Sequence, residues 1–78
     1  MEKINNFITN IAEQFDETPP NLFTPETKFK DLDEWSSLIA LSLIAMIDLE
    51  YNVKIRAEDI RKSTTINDLY EIVKAKMQ

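Results

Sequence analysis

The sequence predicts an all-α fold: a small four-helix bundle of three longer helices and a short third one, with a long loop between the first two. Three observations predict it. Apolar residues recur at steps of three and four in three separate segments. The one alternating stretch, Val53-Lys54-Ile55, is too short for a stable strand and has no second strand to pair with. A chain of 78 residues has room for one domain and one core, burying roughly 60 % of the surface its unfolded form would expose.

The first helix is expected over roughly residues 2 to 16, where Ile4, Phe7, Ile8, Ile11 and Phe15 share one face and Asn5, Asn6, Asn10, Glu13 and Gln14 take the other. Thr18-Pro19-Pro20-Asn21 stops it, because proline lacks an amide hydrogen and biases the residue before it away from helical angles. The connection that follows, from Leu22 to Glu34, is too apolar for a solvated linker. Leu22, Phe23, Phe29 and Leu32, with Trp35 just beyond, are expected to pin it against the bundle. A short helical turn is expected at Pro25-Glu26-Thr27, with Thr24 as its cap and Pro25 at the first helical position.

The second helix is expected from Ser37 to about Tyr51. Leu38, Leu41, Ile44, Ile47 and Tyr51 form one apolar stripe, and Leu43, Met46 and Leu49 widen it beyond a single face. Such a helix is either central in the bundle or presents an apolar patch to a partner. Val53 to Ile55 then reads as an extended connection, followed by a brief helix from Ala57 to about Arg61. Thr65 is placed to cap the last helix, with Asp68 near its positive end. That helix runs from Ile66 to about Lys76, with Ile66, Leu69, Ile72, Val73 and Met77 inward and Lys74 and Lys76 near its negative end.

Composition narrows function. No apolar run approaches the roughly 18 to 20 residues that span a bilayer, and Met1-Glu2-Lys3-Ile4-Asn5-Asn6 lacks the basic-then-apolar order of a secretory signal. A cytoplasmic protein without membrane insertion is expected. The chain has no Cys and no His, which removes disulfides, thiolate nucleophiles, thiolate metal sites and the commonest general acid-base side chain. Neither catalysis by this chain alone nor a metal site is expected. It has no Gly, so phosphate-cradling loops of the P-loop or Rossmann kind are absent. Nine Lys and Arg against fourteen Asp and Glu give a net charge of -5, which disfavours nucleic acid and favours basic protein surfaces.

The residues that invite chemistry are Ser36 and Ser37, between Trp35 and the apolar run. Serine is a preferred N-cap, and a cap contributes about 1 kcal/mol, so the plain reading gives the pair no further role. One serine can cap while the other stays free. With no His to activate it, the free hydroxyl is a poor nucleophile, but another enzyme can attach a group to it. A phosphodiester there would sit beside the unpaired amides and the positive end of the helix, a favourable place for an anion.

The order FKDLDEWSSLIALSLIAMIDLEYNVKI, then AEDI, then TTINDLYEIV, resembles the acyl carrier proteins. The likeness lies in a phenylalanine, Asp-Leu, a short gap, Ser-Leu, a helix closing on an aromatic residue, and an Ile before a short third helix, and it spans nearly the whole chain. It implies that Ser37, followed by Leu38, carries 4'-phosphopantetheine derived from coenzyme A, with Ser36 as the alternative serine. It further implies a carrier that holds acyl groups as thioesters for fatty acid, polyketide or related biosynthesis; a single-domain chain that starts at Met1 is expected to be a discrete carrier, and a monomer. Its partners would be a phosphopantetheinyl transferase and acyl-loading and acyl-processing enzymes.

The sequence departs from the family pattern in three places. One residue more separates Asp31-Leu32 from Ser37, with Asp33, Glu34 and Trp35 where a glycine is usual; Ser36 replaces a common acid; and the second helix, with Ile39, Ala40, Ser42 and Ala45, keeps only Asp48 and Glu50 of the usual acidic band. Recognition should then rest on apolar contact more than on charge. Leu38, Leu41 and Ala45, with Asp48, are candidates for the partner face, although burial is the ordinary reading for any single one of these apolar residues. Leu43, Ile44, Ile47 and Tyr51 are expected in the core, and Trp35 is expected to anchor the loop. Two other functions stay open: an aminoacyl or peptidyl carrier, D-alanyl included, and an unmodified helical adaptor whose apolar patch binds a partner.

Overall fold

A computed structural model describes residues 2–77, with side chains from residue 4 onward. The elements in order are α1 (Glu2–Ala12), 3-10 turns at Pro20–Leu22 and Phe29–Asp31, α2 (Ser37–Tyr51), α3 (Ala57–Lys62) and α4 (Ile66–Lys76), with no strand among the described residues. The all-helical bundle with a long first loop is therefore the observed fold.

Helix α1 is shorter than its apolar periodicity suggests. The Glu13 amide still donates to Thr9 O at 3.0 Å, but Gln14 and Phe15 donate to Ile11 O and Ala12 O, the tighter three-residue pattern that ends helices. The amides of Asp16, Glu17 and Thr18 then leave the helix altogether and donate to the Glu34 carboxylate. Phe15 keeps its predicted inward place, 5 % exposed, although it lies beyond the helix.

The core gathers Phe7 and Ile11 of α1, Leu43 and Ile47 of α2, Ile66 and Leu69 of α4, and Phe29 of the loop, all fully buried. The Phe7 ring packs between Tyr51 and Tyr70, with centroids 5.7 and 5.3 Å away. In the connection between α2 and α3, Val53 and Ile55 are buried on either side of exposed Lys54, without a strand.

The loop is pinned, though partly by other means than predicted. Phe23 and Phe29 are buried, whereas Leu22 is 51 % exposed because its 3-10 turn buries nothing and Phe23 takes the inward position. Pro25 and Glu26 form a β-turn and not a helical one. Thr27 N donates to Thr24 O at 3.0 Å, and Thr27 Oγ1, not Thr24, does the bracing: it accepts from Thr24 N and donates to Leu22 O, both at 2.8 Å. The loop turns there because its carbonyls serve α4, with Pro25 O accepting from Asn67 N at 2.9 Å and Thr27 O from Ile66 N at 3.1 Å. Lys30 Nζ donates to Arg61 O at 2.8 Å, placing a cation at the negative end of α3.

Helix α4 starts as predicted. Thr65 Oγ1 accepts from Asp68 N at 3.1 Å, and the Asp68 carboxylate accepts from Thr65 N at 3.1 Å and Thr64 N at 3.0 Å, a reciprocal capping box. Met77, expected inward, follows the last helical residue and is 55 % exposed. At the end of α2, Asn52 takes the left-handed conformation, φ 56°, that asparagine tolerates as a helix stop.

Helix α2 is rotated relative to the predicted stripe. Its buried residues are Ile39, Leu43, Met46 and Ile47, while Leu38, Leu41 and Leu49 are 75 %, 62 % and 83 % exposed. Leu38, Leu41 and Leu49 are thus not core residues, and Ile39 does not belong to the outer face. On a helix that is apolar all round, periodicity cannot choose which face turns inward, so packing against the rest of the bundle decides.

Candidate functional site

Ser36 is the N-cap of α2, in extended conformation, and its hydroxyl accepts from Ile39 N at 3.4 Å, a long bond for a cap. Ser37 is the first helical residue, and both serines are exposed. With the Ile39 amide taken by Ser36 and the Ala40 amide donating to Ser36 O at 3.0 Å, the amides of Ser37 and Leu38 have no acceptor within the helix. The first turn contains no acid. Around Ser37 there is consequently an accessible hydroxyl, backbone donors and the positive end of a 15-residue helix.

The approach to this helix end is tied down by the two side chains before it. Trp35 is half-buried and stacks near Phe15, centroids 6.4 Å apart, while meeting Phe29 edge-on at 5.4 Å. It is the predicted anchor. Glu34 accepts four hydrogen bonds: from Asp16 N at 2.6 Å, Glu17 N at 3.0 Å, Thr18 N at 3.0 Å and Thr18 Oγ1 at 2.8 Å. Desolvation pushes its pKa up, but these four bonds outweigh that and hold it below the ordinary carboxylate range. Asp68 is likewise held low, by the Thr65 and Thr64 amides and the Thr65 hydroxyl against a desolvation that acts the other way.

The consequence for acid stability has a definite sign. A carboxylate with a depressed folded-state pKa stabilises above its unfolded pKa, and that stabilisation is lost as pH falls through the folded value. The melting temperature of the native chain is therefore expected to drop as pH is lowered below about 4, and the Glu34→Gln/Asp68→Asn double variant to show a shallower slope in the same series of circular-dichroism melts. Equal slopes would contradict the assigned hydrogen bonds.

Along α2 the exposed residues nearest the serine are apolar. Leu38, Leu41 and Ala45 are exposed and Asp48 is half-buried. Steps of three, four and three place these four on one side of the helix. The Asp48 carboxylate is engaged by Lys54 Nζ at 3.1 and 3.3 Å, which offsets its charge. The chain's acidity lies elsewhere: residues 13 to 34 hold seven acids and two lysines, so the whole net charge of -5 resides in the connection between α1 and α2.

The family described as Phosphopantetheine attachment site matches residues 6–73, a span that includes most of α1 and α4 and all between. The chain belongs to this family. No curated protein and no solved structure matches it. The protein is accordingly a phosphopantetheine carrier domain, and 4'-phosphopantetheine is its covalently attached prosthetic group.

The geometry of this carrier domain fits such a group at the start of α2. A phosphodiester there would meet backbone donors and a positive helix end, with no carboxylate in the first turn to repel it. When bound, the group would supply a terminal thiol able to carry cargo; the protein has no cysteine to compete with it. Two features of the carrier domain were not found by sequence reasoning. Glu34 as a loop clamp left one trace, the extra residue before Ser37, but its partners are sixteen to eighteen positions away. The outward direction of Leu49 left only the excess of apolar residues on α2.

Proposed function

We propose that Ser37 is the residue that carries 4'-phosphopantetheine, and that the domain holds acyl intermediates as thioesters for fatty acid, polyketide or related biosynthesis while catalysing nothing itself. One observation supports the choice of serine: the Ser36 hydroxyl accepts from the Ile39 amide, whereas Ser37, one position later inside the first turn, is an exposed residue whose side chain caps nothing. The chain's part in the mechanism is to offer that hydroxyl to a phosphopantetheinyl transferase and then to present the loaded arm to separate acyl-loading and acyl-processing enzymes. Tethering raises the local concentration of cargo at whichever enzyme is docked.

Docking is assigned to Leu38, Leu41 and Ala45, with Asp48 at the edge. Leu41 is 62 % exposed, so Leu41→Asp should leave the fold intact. It is expected to raise the transferase KM for the carrier by about tenfold, the equivalent of losing one well-buried apolar contact. For an apolar contact the KM of the native chain should change little with added salt. A steep rise with sodium chloride in steady-state assays would instead assign recognition to the acidic loop.

The deciding experiment is intact mass after incubation with coenzyme A and a broad-specificity transferase, on the native chain, Ser37→Ala and Ser36→Ala. Absence of any gain with several transferases would favour the unmodified adaptor, for which the exposed leucines of α2 are the supporting observation. An aminoacyl or peptidyl cargo, D-alanyl included, uses the same thioester, and the mass of the group recovered on the arm from cells distinguishes it from an acyl chain.

A further inference from the structure

The segment that leads into α2 has few attachments to the body of the protein. Ser36 and Ser37 are exposed, Leu38 is 75 % exposed, and the Ser36 cap bond is long at 3.4 Å. The turn before it, closed by Trp35 N donating to Leu32 O at 3.0 Å, contains no glycine. Two side chains reach back from this segment. Trp35 packs between Phe15 and Phe29, and Glu34 binds the end of α1.

The Glu34 contact is not an ion pair. Its donors are three successive backbone amides and one hydroxyl, and two of the residues that supply them, Asp16 and Glu17, are themselves acids. One oxygen, Oε1, takes Glu17 N, Thr18 N and Thr18 Oγ1, while Oε2 takes Asp16 N alone. Three donors thus converge on a single oxygen from a stretch that has just left α1. The contact joins the two ends of the loop directly, three residues ahead of Ser37.

We infer that Glu34 is a positioning residue for the modification of Ser37: by clamping the amides of residues 16 to 18 it holds the entry to α2 in the arrangement that the transferase meets. The inference rests on Ser37 being the attachment site. Without the clamp the entry samples other arrangements, only a fraction of the carrier is competent to dock, and apparent affinity falls by that fraction. Chemistry inside the docked complex is unaffected. The signature is a raised KM for the carrier with an unchanged kcat.

The test measures transferase kinetics for the native chain, Glu34→Ala and Glu34→Gln, at a temperature where circular dichroism shows each variant fully folded, so that global unfolding cannot raise KM. Glu34→Ala is expected to raise KM about tenfold with kcat within about twofold of the native value. Glu34→Gln keeps one acceptor oxygen for the three donors at Oε1 and is expected to stay within about threefold of native. Amide exchange at residues 16 to 18 should quicken in the alanine variant and much less in the glutamine variant. Should Glu34→Ala fail to fold, Thr18→Val removes the hydroxyl donor alone and should raise KM by about threefold. A native KM in Glu34→Ala despite faster exchange at residues 16 to 18, or a loss confined to kcat, overturns the positioning role while leaving Ser37 as the attachment site. A native chain that gains no mass overturns both.

Discussion

Ser37→Ala is expected to abolish the gain of one phosphopantetheine that the native chain shows after incubation with coenzyme A and a transferase, and Ser36→Ala is expected to retain it. The first expectation is all-or-none because alanine offers no oxygen for the phosphodiester. The second follows from the division of labour at the start of α2, where Ser36 spends its hydroxyl on the Ile39 amide. Removing a cap costs about 1 kcal/mol, and the 3.4 Å bond here lies at the weak end. Ser36→Ala should therefore stay folded and become modified, more slowly if the first turn frays. A gain lost in Ser36→Ala and kept in Ser37→Ala would reverse the assignment, and the two masses are read from the same spectra.

The largest effect on stability is expected at Phe7. Its side chain is fully buried between the rings of Tyr51 and Tyr70, so it joins α1 to both α2 and α4. Truncating a buried phenylalanine to alanine costs about 3 to 5 kcal/mol. A domain of 78 residues has roughly 4 to 12 kcal/mol in all. Phe7→Ala should consequently lower the melting temperature by roughly 15 °C or more, or leave part of the chain unfolded at room temperature. Leu49→Ala is the control: at 83 % exposure it should change stability by no more than about 0.5 kcal/mol. Urea titrations followed by circular dichroism compare the two, and similar midpoints would mean that the core is not organised around Phe7.

The two variants also mark what was legible in the sequence. Phe7 was readable because α1 is amphipathic, with a polar face of asparagines that leaves one choice for the inward side. The start of α4 was readable for a different reason: Thr65 and Asp68 bond to each other's backbone within four residues, so their geometry is a local matter. The serine pair was legible as a cap and a free hydroxyl by the same locality. Leu38 and Leu41 were left between core and partner face, because α2 is apolar on every side and two rotations differing by one residue satisfy its pattern equally well.

The loop shows the limit most clearly. Phe23, Phe29 and Trp35 announced that it would be pinned, since apolar side chains of that size seldom remain in water. How it is pinned was hidden. Pro25 O and Thr27 O receive the first amides of α4, Lys30 binds the Arg61 carbonyl, and Glu34 gathers the amides that α1 gives up. Each is a contact between a side chain or carbonyl and backbone groups distant in sequence, and backbone donors and acceptors are the same at every residue, so no pattern of residue types reveals the pairing.

By itself, then, the sequence determined the helical class, the bounds of α2 and α4, the serine pair at the head of α2 and the absence of any protein thiol, because each depends on composition or on neighbours within a turn. Tertiary structure alone decided where α1 stops, which face of α2 meets solvent beside Ser37, and that Glu34 closes the first loop. Those outcomes depend on which distant groups compete for the same amides and the same buried space, and that competition is settled only when the whole bundle packs.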